Sequence, residues 1–171
     1  MNEEAPAEAA PLKAVIVVTV YRRYFELDLA LRNIQALKHE FATPPDVVVV
    51  WACPEVGHLW NFQALKIEGL ITEVVTRMPL QTDGPGKATT HPESVNIRMG
   101  LEYVRDNYDP QTTYAIVQAA DVVPRGDRAF LVTDRNMQLG SKAMVFYWPG
   151  GMVQDNIWHT NFFAVCLQED Y

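Results

Sequence analysis

Y-A-I-V-Q-A-A-D-V-V-P, residues 114–124, is the stretch from which the fold is read. An apolar run from Tyr114 to Val117 passes through Ala119 and Ala120 to a single acid, Asp121, and Pro124 stops it. Asp109-Pro110 precedes it and Pro124-Arg125-Gly126 follows, so the run is short and bounded on both sides by turn signals. That pattern predicts a buried central strand. A carboxylate at its end stands where α/β sheets bind ligands, at the carboxyl edge. The competing reading is that Asp121 only begins a turn.

Working outward, residues 14–20 (A-V-I-V-V-T-V) and 46–51 (D-V-V-V-V-W) read as two more strands covered on both faces, because they do not alternate apolar with polar. Between them Leu27, Leu31, Ile34, Leu37 and Phe41 recur at three or four residues, a helix with one apolar stripe. Glu26 and Asp28 fall in its first turn and Lys38 and His39 in its last, as the helix dipole favours. A short helix is expected over 57–66 with Gly69 as its stop, then a third strand over 70–77. Residues 79–90 (P-L-Q-T-D-G-P-G-K-A-T-T) form the longest expected loop. Thr90-His91-Pro92-Glu93 fits a capping box. It opens a helix whose face is lined by Ile97, Leu101, Val104 and Tyr108 and which ends near Asn107. Another helix is expected over 127–139, closed by Gly140. Strands over 142–148 and 160–167 complete the chain.

Strands alternating with helices imply a mostly parallel sheet flanked by helices, with right-handed crossovers. Two successive strands after Gly140 imply that the sheet becomes mixed at its C-terminal end. The chain of 171 residues suits one domain, 13–171, behind a disordered tail, 1–12. The net charge of −7 argues against a nucleic-acid backbone or an anionic membrane as the partner. Residues 14–20, the longest apolar stretch, are too few to span a bilayer. The acidic start lacks the basic end of a signal peptide, and Cys53 and Cys166 have no disulfide or zinc spacing. A cytoplasmic protein with buried free thiols is expected.

Several of these segments together resemble a known family. The strand ending in V-Y-R-R, the helix F-E-L-D-L-A-L-R-N-I-Q-A-L and the strand D-V-V-V-V resemble the opening of GT-A glycosyltransferases, the family-2-like group in particular. G-K-A-T-T followed by S-V-N-I-R-M-G-L-E-Y resembles the segment before that family's acidic motif. Q-A-A-D-V-V-P stands where the family keeps its DxD signature, and W-H-T-N-F-F-A-V resembles its acceptor-side strand. The resemblance covers residues 13–167 and implies a Rossmann-like GT-A domain. It also implies transfer of a sugar from a nucleotide-diphosphate donor to a sugar, lipid or protein acceptor, with Mn²⁺ or Mg²⁺. The metal would neutralise the departing diphosphate, and hard oxygen ligands suit it.

On that resemblance Asp121 is the metal ligand, with His159 as a second. Thr19 and Tyr21 line the nucleotide pocket, Arg22, Lys87 and Arg98 meet the phosphates, and Asp155 is the base for the acceptor hydroxyl. Each has a plainer alternative. Lys87 and Arg98 read more readily as solvated surface and His159 as a packed histidine, while Tyr21-Arg22-Arg23 has a sheet-edge cap as its alternative. The chain also departs from the family pattern. Ala119 stands in place of the first acid of DxD, Cys53-Pro54-Glu55 in place of the aspartate after the second strand, and Asn-x-Gly is stretched to Asn96-Ile97-Arg98-Met99-Gly100. Members are longer, with much of the acceptor-binding half falling beyond the position of residue 171. A non-catalytic GT-A-shaped binding or structural module is therefore the second hypothesis. A nucleotidyltransferase ranks last, because no glycine-rich loop follows the first strand.

Overall fold

The structure, a computed structural model, describes residues 10–21, 24–52, 59–76, 92–120, 128–145 and 162–167. Its six strands are β1 (Lys13–Val20), β2 (Asp46–Trp51), β3 (Glu73–Thr76), β4 (Thr113–Ala119), β5 (Ala143–Val145) and β6 (Phe162–Cys166). The helices are α1 (Leu27–Leu37), α2 (Phe62–Ile67), α3 (Pro92–Asn107) and α4 (Arg128–Gln138). The sheet order is β3-β2-β1-β4-β6-β5. Strands β3, β2, β1 and β4 run parallel, and β6 lies antiparallel between β4 and β5. The expected mixed, mostly parallel sheet flanked by helices is thus the observed one.

The valine-rich strands form because both of their faces are covered. One face carries Ala14, Ile16, Val18, Val47, Val49, Tyr114 and Ile116. There α1 buries Leu27, Leu31, Ile34 and Leu37, and Phe41 follows just after it. Beside it α4 contributes Phe130 and Met137. Phe130 meets Phe41 and Phe162 at ring-centroid distances of 6.2 and 5.1 Å. Short α2 is capped by Asn61, whose side chain accepts from the Ala64 N–H, and is anchored by Phe62 edge-on to buried Trp51 at 5.2 Å. Gly69 and Gly140 follow α2 and α4 with φ of +71° and +90°, the left-handed conformation that ends a helix.

The opposite face, built on Val15, Val17, Val48, Val50, Ala115 and Val117, is covered by α3. The expected stripe on that helix is displaced. Val104 is fully buried, but Ile97, Leu101 and Tyr108 are only half-buried at its flanks, and the deepest line runs Asn96–Gly100–Val104. The cause lies at Gly100. A Cβ there would stand 2.3 Å from Val17 Cγ1 and 3.1 Å from Val50 Cγ2, so the helix backbone rests directly on the sheet.

The amino edge of the sheet is tied by polar groups. Lys13 pairs with Asp46 at 2.8 Å, and the Tyr108 hydroxyl donates to the same carboxylate at 3.0 Å. Buried Asp134 accepts from the Tyr114 hydroxyl (2.7 Å), the Ala42 N–H (2.9 Å) and the Gln138 amide (3.0 Å). Gln138 also holds Leu12 through both of that residue's backbone groups, at 2.8 Å each. Burial, reinforced by the carboxylate each one faces, raises the pKa of Tyr114 and of Tyr108. Cys166 is a buried free thiol, as expected, and Cys53 lies outside the described residues. No helix among the described residues is long and apolar enough to cross a membrane.

Candidate functional site at the carboxyl edge of β1 and β4

Strand order decides where an open α/β sheet offers a crevice. From β1 the chain moves by way of α1 to β2 on one side and then to β3. From β3 it returns by way of α3, on the opposite face, to β4 on the other side of β1. The direction of winding therefore reverses between β1 and β4. The connections leaving their carboxyl ends part from one another, and this is the position at which such sheets bind ligands.

The geometry there is set by the ends of the ladder. Thr19 pairs with Val50 on one side and with Ala119 on the other. The Ala120 N–H donates to the Thr19 carbonyl at 2.9 Å, and the Ala52 N–H to the Val20 carbonyl at 3.1 Å. Beyond these bonds β1 passes into Tyr21, and Asp121, next in sequence after Ala120, lies outside the described residues. The sequence expectation that Asp121 follows a buried central strand is met as far as Ala120, which is itself buried.

The expected site residues fall into two groups. Thr19 is buried as the last residue but one of β1, and Tyr21 is half-buried just past its end. Both are at the switch point. Arg98 is on α3, with its side chain 71% exposed and its guanidinium 3.8 Å from Glu102 one turn on. It points away from the buried Asn96–Gly100–Val104 line. Arg22, Lys87, Asp121, Asp155 and His159 lie outside the described residues, as does the loop over 79–90. Among the described residues no group of three His, Cys, Asp or Glu side chains is placed to hold a metal ion.

Three further residues near this edge were not among the expected site residues. Asn96 on α3 and Gln118 on β4 are both fully buried, and Gly100 sets the depth at which α3 lies. Gln118 pairs with Val18 of β1 and Phe162 of β6, on the same face of β4 as Tyr114 and Ile116. The available signal was the four-residue spacing of Asn96 and Gly100, two non-apolar residues sharing a helix face that must be buried. For Gln118 the signal was one amide inside an apolar run.

No family model matches the chain, and no curated protein matches it. Among solved structures it is similar to the mannosyltransferase PcManGT from Pyrobaculum calidifontis, in complex with GDP-Man and Mn²⁺. The TM-score is 0.54 and the identity 13%, with 91% of this chain covered. The match spans 45% of the mannosyltransferase chain. At that identity the likeness shows a distant glycosyltransferase-like fold and nothing finer.

Proposed function

We propose that this chain binds a nucleotide-diphospho-sugar in the crevice between the carboxyl ends of β1 and β4 and serves as a metal-dependent glycosyltransferase. The observation that carries the reading is the reversal of winding between β1 and β4, with Asp121 next in sequence after Ala120, whose N–H donates to the Thr19 carbonyl. The described residues do not by themselves compose a metal site. In this reading Asp121 supplies a hard oxygen ligand and His159 a nitrogen one. A divalent ion there would stabilise the charge on the departing diphosphate.

The chain's own residues then divide the remaining work. Thr19 and Tyr21 form the wall against which the nucleotide lies. Arg22 and Lys87 face the phosphates, and Arg98 joins them if it exchanges Glu102 for a phosphate oxygen. Transfer breaks the bond between the sugar's anomeric carbon and the phosphate oxygen and forms one to an acceptor hydroxyl, whose proton passes to Asp155.

A second reading, a non-catalytic module of the same shape, is favoured by Ala119. It stands in the position of the first acid of DxD, is 7% exposed, and is part of the β1–β4 ladder. A thermal-shift panel of GDP, UDP and CDP and their common sugars, with and without Mn²⁺, separates the two. A ligand at about 100 times its Kd adds roughly 2.7 kcal/mol, or about 5–10 °C in a domain of this size. Metal-dependent stabilisation by one nucleotide, lost in Asp121→Ala with the fold kept, supports the transferase. No shift with any of them, and no turnover of any nucleotide-sugar, supports the module.

A further inference from the structure

Among the described residues β3 is the outer strand on one side of the sheet, and the register tells which of its backbone groups turn outward. Val47 of β2 turns its N–H and C=O towards β3. There the Thr72 hydroxyl accepts from the Val47 N–H at 3.1 Å, and the Thr72 N–H donates to the Val47 carbonyl at 2.7 Å. Backbone groups alternate in direction along a strand, so Val49 also faces β3 and bonds to the residues on either side of its partner, Val74. The N–H and C=O of Val74 therefore point away from the sheet. An outward N–H on an outer strand is a template on which a further strand can add.

That N–H is engaged. It donates to the Glu73 carboxylate at 2.8 Å, and the same carboxylate oxygen accepts from the Lys66 ammonium. The two charged side chains come from opposite faces of the sheet. Glu73 is paired with Val48 and so stands on the α3 face, as Val75 does. Lys66 belongs to α2, whose Phe62 and Leu65 pack on the other face together with Val74. The ion pair thus crosses the edge of β3 at the level of Val74. A pair as exposed as this one, 31% and 38%, adds little to stability. What distinguishes it is its place across the strand's outward donor.

We propose that the Lys66–Glu73 pair closes the β3 edge to strand addition and so keeps two copies of this chain from joining through it. Val74 and Val75 are half-buried, one on each face, so a strand added here would find apolar side chains on both sides of its backbone. A second copy supplies such a strand in its own β3. Pairing of β3 with β3 joins identical surfaces and closes a twofold dimer. The role is independent of what the β1–β4 crevice binds.

The experiment compares the parent with Glu73→Ala, Glu73→Ala/Val74→Pro and Lys66→Met, and with Glu102→Ala as a control that removes a like charge facing Arg98 on α3. Proline at 74 gives up no bond to β2, because that N–H is not part of the ladder. Self-association is measured by sedimentation, and exchange of the Val74 amide by NMR. Glu73→Ala is expected to form a dimer at least about tenfold more tightly than the parent, with Val74 exchanging at least about tenfold faster in the monomer at low concentration. Glu73→Ala/Val74→Pro should return to the parent's association, and Glu102→Ala should not leave it. Lys66→Met leaves every β3 residue in place, so it decides the matter should Glu73→Ala not fold. In it Val74 should exchange at least about threefold faster. Unchanged association in Glu73→Ala, a dimer that persists with proline at 74, or Val74 exchange that neither substitution alters would overturn the proposal. So would a parent dimer that Val74→Pro alone dissolves, since the edge would then be open already.

Discussion

Replacing Gly100 by alanine sets two effects of opposite sign against each other, and the structure says which prevails. In a helix interior the change gains about 1 kcal/mol of propensity. Against it stands a Cβ placed 2.3 Å from Val17 Cγ1 and 3.1 Å from Val50 Cγ2. Both valines are fully buried in central strands, and a β-branched side chain has few rotamers to retreat into. The helix must therefore lift or a strand must bend. Overpacking of this kind costs about 1–3 kcal/mol, and a contact this short belongs at the upper end. The expected net loss is about 1–2 kcal/mol, or roughly 2–8 °C in Tm. Urea unfolding followed by tryptophan fluorescence measures it, with an unchanged m-value as the check that the denatured state is the same. Val17→Ala removes the methyl that is struck, so the double variant Val17→Ala/Gly100→Ala should be more stable than the sum of the two losses by about 1 kcal/mol or more. A Gly100→Ala protein as stable as the parent, or a cycle that is additive within about 0.3 kcal/mol, would refute the close seating of α3.

Other perturbations test the amino edge. Asp134→Ala strands the Tyr114 hydroxyl, the Ala42 N–H and one Gln138 donor in a buried setting. A loss of at least about 2 kcal/mol by urea unfolding is expected, and one below about 0.5 kcal/mol would mean the hub is dispensable. Tyr114 and Tyr108 keep their protons more tightly folded than unfolded. Their contribution is complete below about pH 10, the unfolded phenol value, and is lost as pH rises beyond it. The pair Tyr114→Phe/Tyr108→Phe should accordingly flatten the alkaline limb of a stability–pH curve; an unaltered limb would count against both phenols. Glu73 is shifted the other way, its pKa lowered first by the hydrogen bond from Lys66 and then by the Val74 N–H. Its share is present above about pH 4.5 and lost as pH falls. The pair is a third exposed, so Lys66→Ala should cost under about 1 kcal/mol at neutral pH, and a larger loss would show that it bears more of β3 than its exposure allows.

What could be read from the sequence was what repeats. The runs 14–20 and 46–51 need no partner to be recognised as buried strands, and they lie within one residue of β1 and β2. The stripe Leu27–Phe41 was legible because all five of its residues are buried on one face. The α3 stripe was misjudged for a physical reason. Apolar residues mark a buried face only where side chains fill the gap, and at Gly100 the backbone itself fills it, shifting the buried line to Asn96 and Gly100. Pairing partners were legible only in part. A switch from alternating helices to successive strands foretold the antiparallel end of the sheet, but nothing local told that β6 would insert between β4 and β5. The place of Thr19 and Tyr21 at the end of β1 was legible, while their part in a site is a proposal. Asn96 and Gln118 were not legible, since a lone amide in an apolar pattern looks the same whether it is buried or at a boundary.

The two edges of the sheet divide the demands on the chain. At the amino edge the charged and polar side chains are spent on one another: Lys13, Asp46 and Tyr108 in one cluster, Asp134, Tyr114 and Gln138 in another. These contacts join β1, β2, β4, α3 and α4, so substitutions there should change stability while leaving the opposite edge alone. At the carboxyl edge the ladder ends on Thr19, Val20, Trp51 and Ala119, with small residues at Ala52 and Ala120. Among the described residues, backbone hydrogen bonds close it. The scaffold is thus tied by side chains at the amino edge, while the reversal of winding lies at the carboxyl edge, the place where open α/β sheets bind ligands.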